Sequence, residues 1–168
     1  GQFVLITGHR RENFGTGMIQ ICAAIDVLAS KNRDINFIYP VHLNPSVRKP
    51  VERLLKCHSN VHLIEPLEYE MFVFLLRLSY LVLTDSGGIQ EEGPSLGKPV
   101  FVTRKSTERP EGLISGTSIL VGTNQESIIN EISQVIDNPV AYELMSRKDN
   151  PYGDGNAAQR VVKFLEEL

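Results

Sequence analysis

The sequence predicts an α/β fold, a Rossmann-like, doubly wound parallel sheet of about six strands. Three observations carry this. Near-continuous apolar runs of four to seven residues recur along the chain, as buried parallel strands require. Helix-spaced apolar positions separate most of them. Glycine-rich and polar segments follow several of the runs, where ligand-binding loops of such folds lie.

The runs are 3-FVLIT-7, 35-INFIYPV-41, 61-VHLI-64, 80-YLVLT-84, 99-PVFVT-103 and 118-SILV-121. Met18, Ile21, Ile25 and Leu28 give the first helical stripe. Pro50, Val51, Leu54 and Leu55 precede the third strand, and Phe72, Leu75, Leu76 and Ser79 the fourth. Ile128, Ile129, Ile132, Val135 and Ile136 follow the last. From about residue 139 the chain reads as two further helices broken at 150-NPYGDG-155, with Asn156 suited to cap the second. Residues 1–168 are read as a single Rossmann-like unit without repeat, low-complexity tract or internal linker. The chain opens almost directly on a strand, as a fragment cut at a domain boundary would.

Composition narrows the function classes. At 168 residues, with 42% hydrophobic and 22% charged residues, the chain can bury a substantial core. A net charge of −3 disfavours general nucleic-acid binding. Local basic clusters, Arg10-Arg11 and Arg104-Lys105 with Arg109, are of a size to hold one small polyanion. Cys22 and Cys57 lack metal-ligand spacing, and Cys22 falls in an apolar helical pattern as a packed thiol would. His58 and His62 straddle a strand start, which spoils a helical metal pair, so no metal site is expected. No signal peptide or membrane-length apolar run is visible, which favours a cytoplasmic location and no membrane partner.

The loops after strands hold the candidate chemistry. In 7-TGHRRENFGTG-17 the glycines miss the dinucleotide spacing, and 39-YPVH-42 lacks the acidic residue a nicotinamide cofactor would need. His9, Arg10 and Arg11 suit phosphate; the alternative is a solvated basic turn capped by Asn13. His42 stands at a strand end, as a ligand contact or as a turn histidine before Asn44-Pro45. The strongest local signal is 84-TDSGGIQEEGPSLGKPV-100. Ser86, Gly87 and Gly88 open a helix, where free N–H groups and the helix dipole attract an anion. Glu92, four residues beyond Gly88, shares its helical face and would repel a bare phosphate. It would accept hydrogen bonds from a diol. A nucleotide satisfies both, with phosphate at the glycines and ribose at Glu92, while Glu91 points to solvent or a structural partner. The loop 104-RKSTERPEGL-113 offers Arg104, Lys105, Thr107 and Arg109, with Pro110 at the start of another helix directed at the same edge.

Six ordered motifs, GHRREN (8–13), YPVHLNP (39–45), DSGGIQEEGPSLGKPV (85–100), TERPEG (107–112), GT-x-x-LVGT (116–123) and NPYGDG (150–155), span essentially the whole chain. Through them it resembles the C-terminal domain of the non-hydrolysing UDP-N-acetylglucosamine 2-epimerases, enzymes of GT-B architecture with the active site between two Rossmann-like domains. The resemblance implies that His9 lies near the diphosphate and reacting sugar as a catalytic residue. It implies that Ser86, Gly87 and Gly88 form the diphosphate turn, that Glu92 binds ribose, that Arg109 faces the phosphates and that Phe72 lies beside uracil. Arg10 and His42 resemble contacts to a second, activating UDP-N-acetylglucosamine. Lys105 departs from the acidic residue more usual there. The implied reaction inverts C2 of UDP-N-acetylglucosamine to give UDP-N-acetylmannosamine by elimination and re-addition of UDP. It needs no cofactor, and its acid–base carboxylates belong to an N-terminal domain missing from this chain. A homodimer is expected at full length, and this chain alone is expected to be inactive.

Other readings remain. Retaining GT-B glycosyltransferases often carry two glutamates with seven residues between them, but Pro99 and Val100 stand where Glu91 and Glu92 would require partners. A hydrolysing 2-epimerase is nearer, although HRREN and YPVH favour the non-hydrolysing branch. A stand-alone UDP-sugar-binding module is the non-enzymatic alternative.

Overall fold

The computed structural model describes residues 1–147 and 149–167. Six strands, β1 (Phe3–Thr7), β2 (Asn36–Pro40), β3 (Val61–Ile64), β4 (Leu81–Thr84), β5 (Val100–Val102) and β6 (Ser118–Leu120), form one sheet. Their order is β3-β2-β1-β4-β5-β6, and every neighbouring pair is parallel. This is the expected doubly wound sheet. The ladders end a residue or so inside several apolar runs, the usual imprecision of strand ends.

The connecting helices are α1 (Thr16–Lys31), α2 (Pro45–Leu55), α3 (Tyr69–Leu78), α4 (Gly87–Ser95), α5 (Pro110–Ser115) and α6 (Gln125–Asp137). A single 3₁₀ turn, Arg11–Asn13, precedes α1, and α7 (Pro139–Ser146) and α8 (Ala157–Glu166) follow α6. Alternate residues of each strand feed opposite faces. Val4, Ile6, Phe37, Tyr39, Leu81 and Leu83 pack with α1, α2 and α6 through Ile25, Leu28, Val51, Leu55, Ile128 and Ile132. Leu5 and Val82 face the other way, onto Leu76 of α3 and Ile89 of α4. Burial on both faces is why these strands read as unbroken apolar runs.

Short caps explain where the helices start. Asn44 accepts from Ser46 N–H ahead of α2, Asn124 from Ser127 N–H ahead of α6, and Asn138 from Val140 N–H ahead of α7. Asn156 stands at the start of α8 as expected but does not cap it: its side-chain amide turns back to the Asp154 carbonyl, while Asp154 pairs with Arg160. Helix α4 runs tight against β5. A β-carbon on Gly93 would come within 2.5 Å of Val100 Cγ2, so only glycine permits that approach. Helix α8 leaves Val161, Val162, Phe164 and Leu165 exposed. Among the described residues, no helix is long and apolar enough to cross a membrane.

Strand order reverses between β1, which pairs β2 on one side, and β4 on the other. In open α/β sheets a crevice forms at this point, beyond the carboxyl ends of the strands. The loops after β1 and β4 are Gly8–Asn13 and Asp85–Ser86. The candidate site is built from these two.

Candidate functional site

Asp85, the first residue after β4, is fully buried. Its carboxylate accepts from the backbone N–H of His9 (2.9 Å), the backbone N–H of Arg10 (2.8 Å) and the side-chain amide of Asn13 (3.2 Å). Asn13 also donates to the Thr103 carbonyl at 2.9 Å, and is itself buried. The alternative of a solvated turn capped by Asn13 does not hold: the loop is anchored from below. A buried carboxylate is stable when several donors surround it, and these donors come from the loop that must be fixed. His9 Nδ1 lies 3.5 Å from Asp85 Oδ1, while 43% of its side chain remains exposed to the crevice.

On this frame the sequence candidates assemble. His9, His42, Phe72, Ser86 and Ile89 border one cleft of about 220 Å³. The rings of His9 and His42 stack at 5.7 Å, with 20° between their planes. His42 Nδ1 accepts from Asn44 N–H at 3.1 Å, leaving Nε2 to carry the proton. His42 is thus both the turn histidine of the bland reading and part of the cleft. Arg10 reaches the opening of α4: its Nη2 is 3.6 Å from the position a β-carbon on Gly87 would occupy. Arg10 Nε is buried and has no hydrogen-bond partner among the described residues.

At α4, Ser86 occupies the cap position with extended backbone, but its side chain caps none of the first-turn N–H groups. Those donors and the positive end of the helix dipole are thus turned to the crevice. Gly88 is exposed beside them. A β-carbon there would lie 3.7 Å from Glu92 Oε1 and 4.0 Å from Ser86 Oγ, so carboxylate and hydroxyl flank the same glycine. Glu92 Oε1 receives the Tyr69 hydroxyl at 3.4 Å, whereas Oε2 is buried without a hydrogen-bond partner among the described residues. Glu92 and Tyr69 also border a second, adjoining cleft with Tyr152.

The basic loop after β5 departs from expectation. Arg104 is not free to hold a polyanion: its side chain is buried and each guanidinium nitrogen donates to a carboxylate. Nε donates to Glu12 at 2.9 Å, and Nη1 and Nη2 donate to Glu108 at 2.7 and 2.9 Å. This holds the Glu108 carboxyl down at about 2. Arg109 pairs with Glu91, the structural partner left open for that glutamate. At the start of α5 the Gly112 N–H donates to the hydroxyl of Tyr152, from the NPYGDG segment, at 3.1 Å. Gln90 of α4, also buried, donates to the Ser86 carbonyl at 3.1 Å and accepts from Thr107, tying this loop to the glycine turn.

His58 and His62 form no pair; they bond to Asp26 and Asn36 respectively. Cys22 is packed as expected, and burial pushes its thiol up to about 12.

Comparison with known proteins shows the family and the fold. The pattern of the family described as UDP-N-acetylglucosamine 2-epimerase matches residues 1–166. A Campylobacter jejuni UDP-N-acetylglucosamine 2-epimerase is 54% identical over 164 residues, 98% of this chain and 43% of the relative. The crystal structure of the Neisseria meningitidis UDP-GlcNAc 2-epimerase bound to UDP-GlcNAc superposes with a TM-score of 0.94 and 50% identity, covering 100% of this chain and 45% of that one. An S. aureus MnaA–UDP structure gives a TM-score of 0.93 at 44% identity, covering 98% of this chain and 45% of its own. The chain therefore spans less than half the length of the relatives it matches.

Proposed function

The chain belongs to the UDP-N-acetylglucosamine 2-epimerase family, and on that premise we propose that it is the UDP-binding half of such an enzyme, the C-terminal part of a GT-B pair. The whole enzyme would interconvert UDP-N-acetylglucosamine and UDP-N-acetylmannosamine. The observation that carries this is the buried Oε2 of Glu92, without a hydrogen-bond partner among the described residues, beside the uncapped glycine turn. An acceptor so placed lacks hydroxyl donors, and a ribose next to a diphosphate supplies them.

In the proposed reaction the C2 proton is removed and the C1–O bond breaks, with UDP leaving. The resulting 2-acetamidoglucal is protonated at C2 on its other face as UDP re-adds at C1. UDP is thus a leaving group that must be retained. The first-turn N–H groups of α4, with Ser86, stabilise the negative charge gained by the diphosphate. Phe72 offers an apolar wall for the base. His9, fixed from behind by Asp85, lies beside the diphosphate and reacting sugar. Arg109 exchanges Glu91 for the phosphates on binding. The carboxylates that move the C2 proton belong to the part of the enzyme this chain does not contain, so this chain alone binds UDP without epimerising. Arg10 and His42 contact a second UDP-N-acetylglucosamine bound against the first as an activator. The full enzyme is proposed to be a cytoplasmic homodimer.

Calorimetric titration with UDP, ADP and NAD tests the core of this reading; preference for UDP is expected, and equal affinity for all three overturns it. Deuterium incorporation at C2 by the isolated chain would contradict the assignment of the acid–base groups elsewhere. With the full-length enzyme, the product separates the two epimerase branches. UDP-N-acetylmannosamine marks the non-hydrolysing reaction favoured by GHRREN and YPVH, and free N-acetylmannosamine with UDP marks the hydrolysing one.

A further inference from the structure

We propose that Asp26, Cys57 and His58 form a binding site for a thiophilic divalent cation, zinc in the first instance, on the edge of the sheet opposite the nucleotide crevice. One ligating atom from each residue lies within 4.8 Å of the other two. His58 Nε2 and Asp26 Oδ1 are already 2.6 Å apart. Asp26 lies on α1, whereas Cys57 and His58 lie in the turn between α2 and β3. That turn enters the amino end of β3, so the site is remote from Gly8, His42 and Ser86, which follow the carboxyl ends of strands.

The donor set selects the ion. One thiolate, one imidazole and one carboxylate suit zinc, while magnesium and calcium favour oxygen alone. The charges of thiolate and carboxylate balance a divalent cation. Bond lengths of about 2.0–2.3 Å in a tetrahedral site separate nitrogen from oxygen by about 3.3 Å and sulfur from nitrogen by about 3.5 Å. The hydrogen bond between His58 and Asp26 would therefore open by less than 1 Å, within reach of side-chain rotation. A water takes the fourth position, and Cys57, exposed at the surface, gives the ion a way in.

The backbone of the site is held independently of any ion. The Asn60 side-chain amide donates to the carbonyls of Ala29, Asn32 and Ile35 at 3.1, 3.2 and 3.0 Å, pinning the turn to the end of the helix that carries Asp26. Ile25, Leu28, Val51 and Leu55 are fully buried between α1, α2 and the sheet. A hydrogen bond between Asp26 and His58 would satisfy those two side chains alone. Cys57, brought to the same point, has no part in it; its thiol is what turns the pair into a ligand set. The sequence concealed this site because Asp26 is far upstream and the cysteines show no paired spacing.

The test is cobalt and zinc titration of this chain, followed by absorption spectroscopy and thermal unfolding. One cobalt per chain should bind with tetrahedral d–d bands and a thiolate-to-metal charge-transfer band. Zinc should displace the cobalt and raise Tm, and EDTA should reverse the rise. Cys57→Ser should lose the charge-transfer band, and Cys22→Ala should keep it. His58→Gln and Asp26→Asn should each weaken zinc binding about tenfold or more. Circular dichroism of each variant without metal reports its fold, and the exposed Cys57→Ser variant is the one least prone to misfold. A cobalt complex without a thiolate band, a band unchanged in Cys57→Ser, or zinc binding unchanged in all three ligand variants would overturn the proposal.

Discussion

The Tyr69 hydroxyl donates to Glu92 Oε1 across 3.4 Å, while the other oxygen of that carboxylate is buried with no partner among the described residues. If Oε2 awaits a ribose, Glu92→Ala should weaken UDP binding by about 1.5–3 kcal/mol, the scale of a charge-assisted bond. If repulsion between carboxylate and diphosphate dominated, the same change would tighten binding. Calorimetry gives the sign. A cycle pairing Glu92→Ala with UDP lacking its ribose hydroxyls localises the effect; additive losses would mean that the ribose is read elsewhere.

Asp85 acts from beneath the site. Asp85→Ala strands the His9 and Arg10 N–H groups and the Asn13 amide, so a loss of about 3 kcal/mol or more in urea denaturation is expected. Unchanged stability would show that water can replace the carboxylate.

The Glu91–Arg109 pair is exposed at more than a third of each side chain, so Glu91→Ala should change stability by less than about 1 kcal/mol. Its effect on UDP is the informative readout. Freeing Arg109 should leave UDP binding equal or tighter, and Arg109→Ala should weaken it about tenfold, the loss of one charge-assisted contact. Weaker binding in Glu91→Ala would instead make the pair itself the binding element.

Glu108 carries a pH signature. Hydrogen bonds from Arg104 are the main reason its carboxyl is held down at about 2, below the ordinary glutamate value. A group depressed on folding adds stability that is present above its unfolded pKa and lost as pH falls through the folded one. The contribution should fade between the ordinary glutamate range and about pH 2. Carboxyl-carbon NMR titration checks this; an ordinary midpoint would mean that the Arg104 fork does not persist in solution.

The sheet was legible because its residues are buried on both faces, so Val4, Leu5 and Ile6 announce a strand without any partner being known. The glycine turn was legible because a helix start needs few residues to specify it. Side-chain partners were not. Arg104 reads as a surface cation, and only the fold reveals Glu12 beside it. Asp85 was visible at the strand end, but its main partners are backbone N–H groups, which every residue except proline carries and no pattern marks. The capping role expected of Asn156 failed for a related reason: propensity names residues able to cap, while local competition from Asp154 decides whether they do.

The hydrogen bonds that fix the site also date its assembly. His9 is separated from Asp85 by 76 positions and Asn13 from Thr103 by 90. During synthesis from the N-terminus, the Asp85 carboxylate and the Thr103 carbonyl that fix the loop carrying His9 are absent until β4 and β5 have been made. The loop's closure entropy must be met before those distant contacts can reward it. Helix α1 and the β1–β2 pair can form from much nearer segments. The chemistry-bearing loop of this chain is thus among the last parts able to reach its final shape, and variants that slow the docking of β4 should delay recovery of UDP binding more than recovery of helix content.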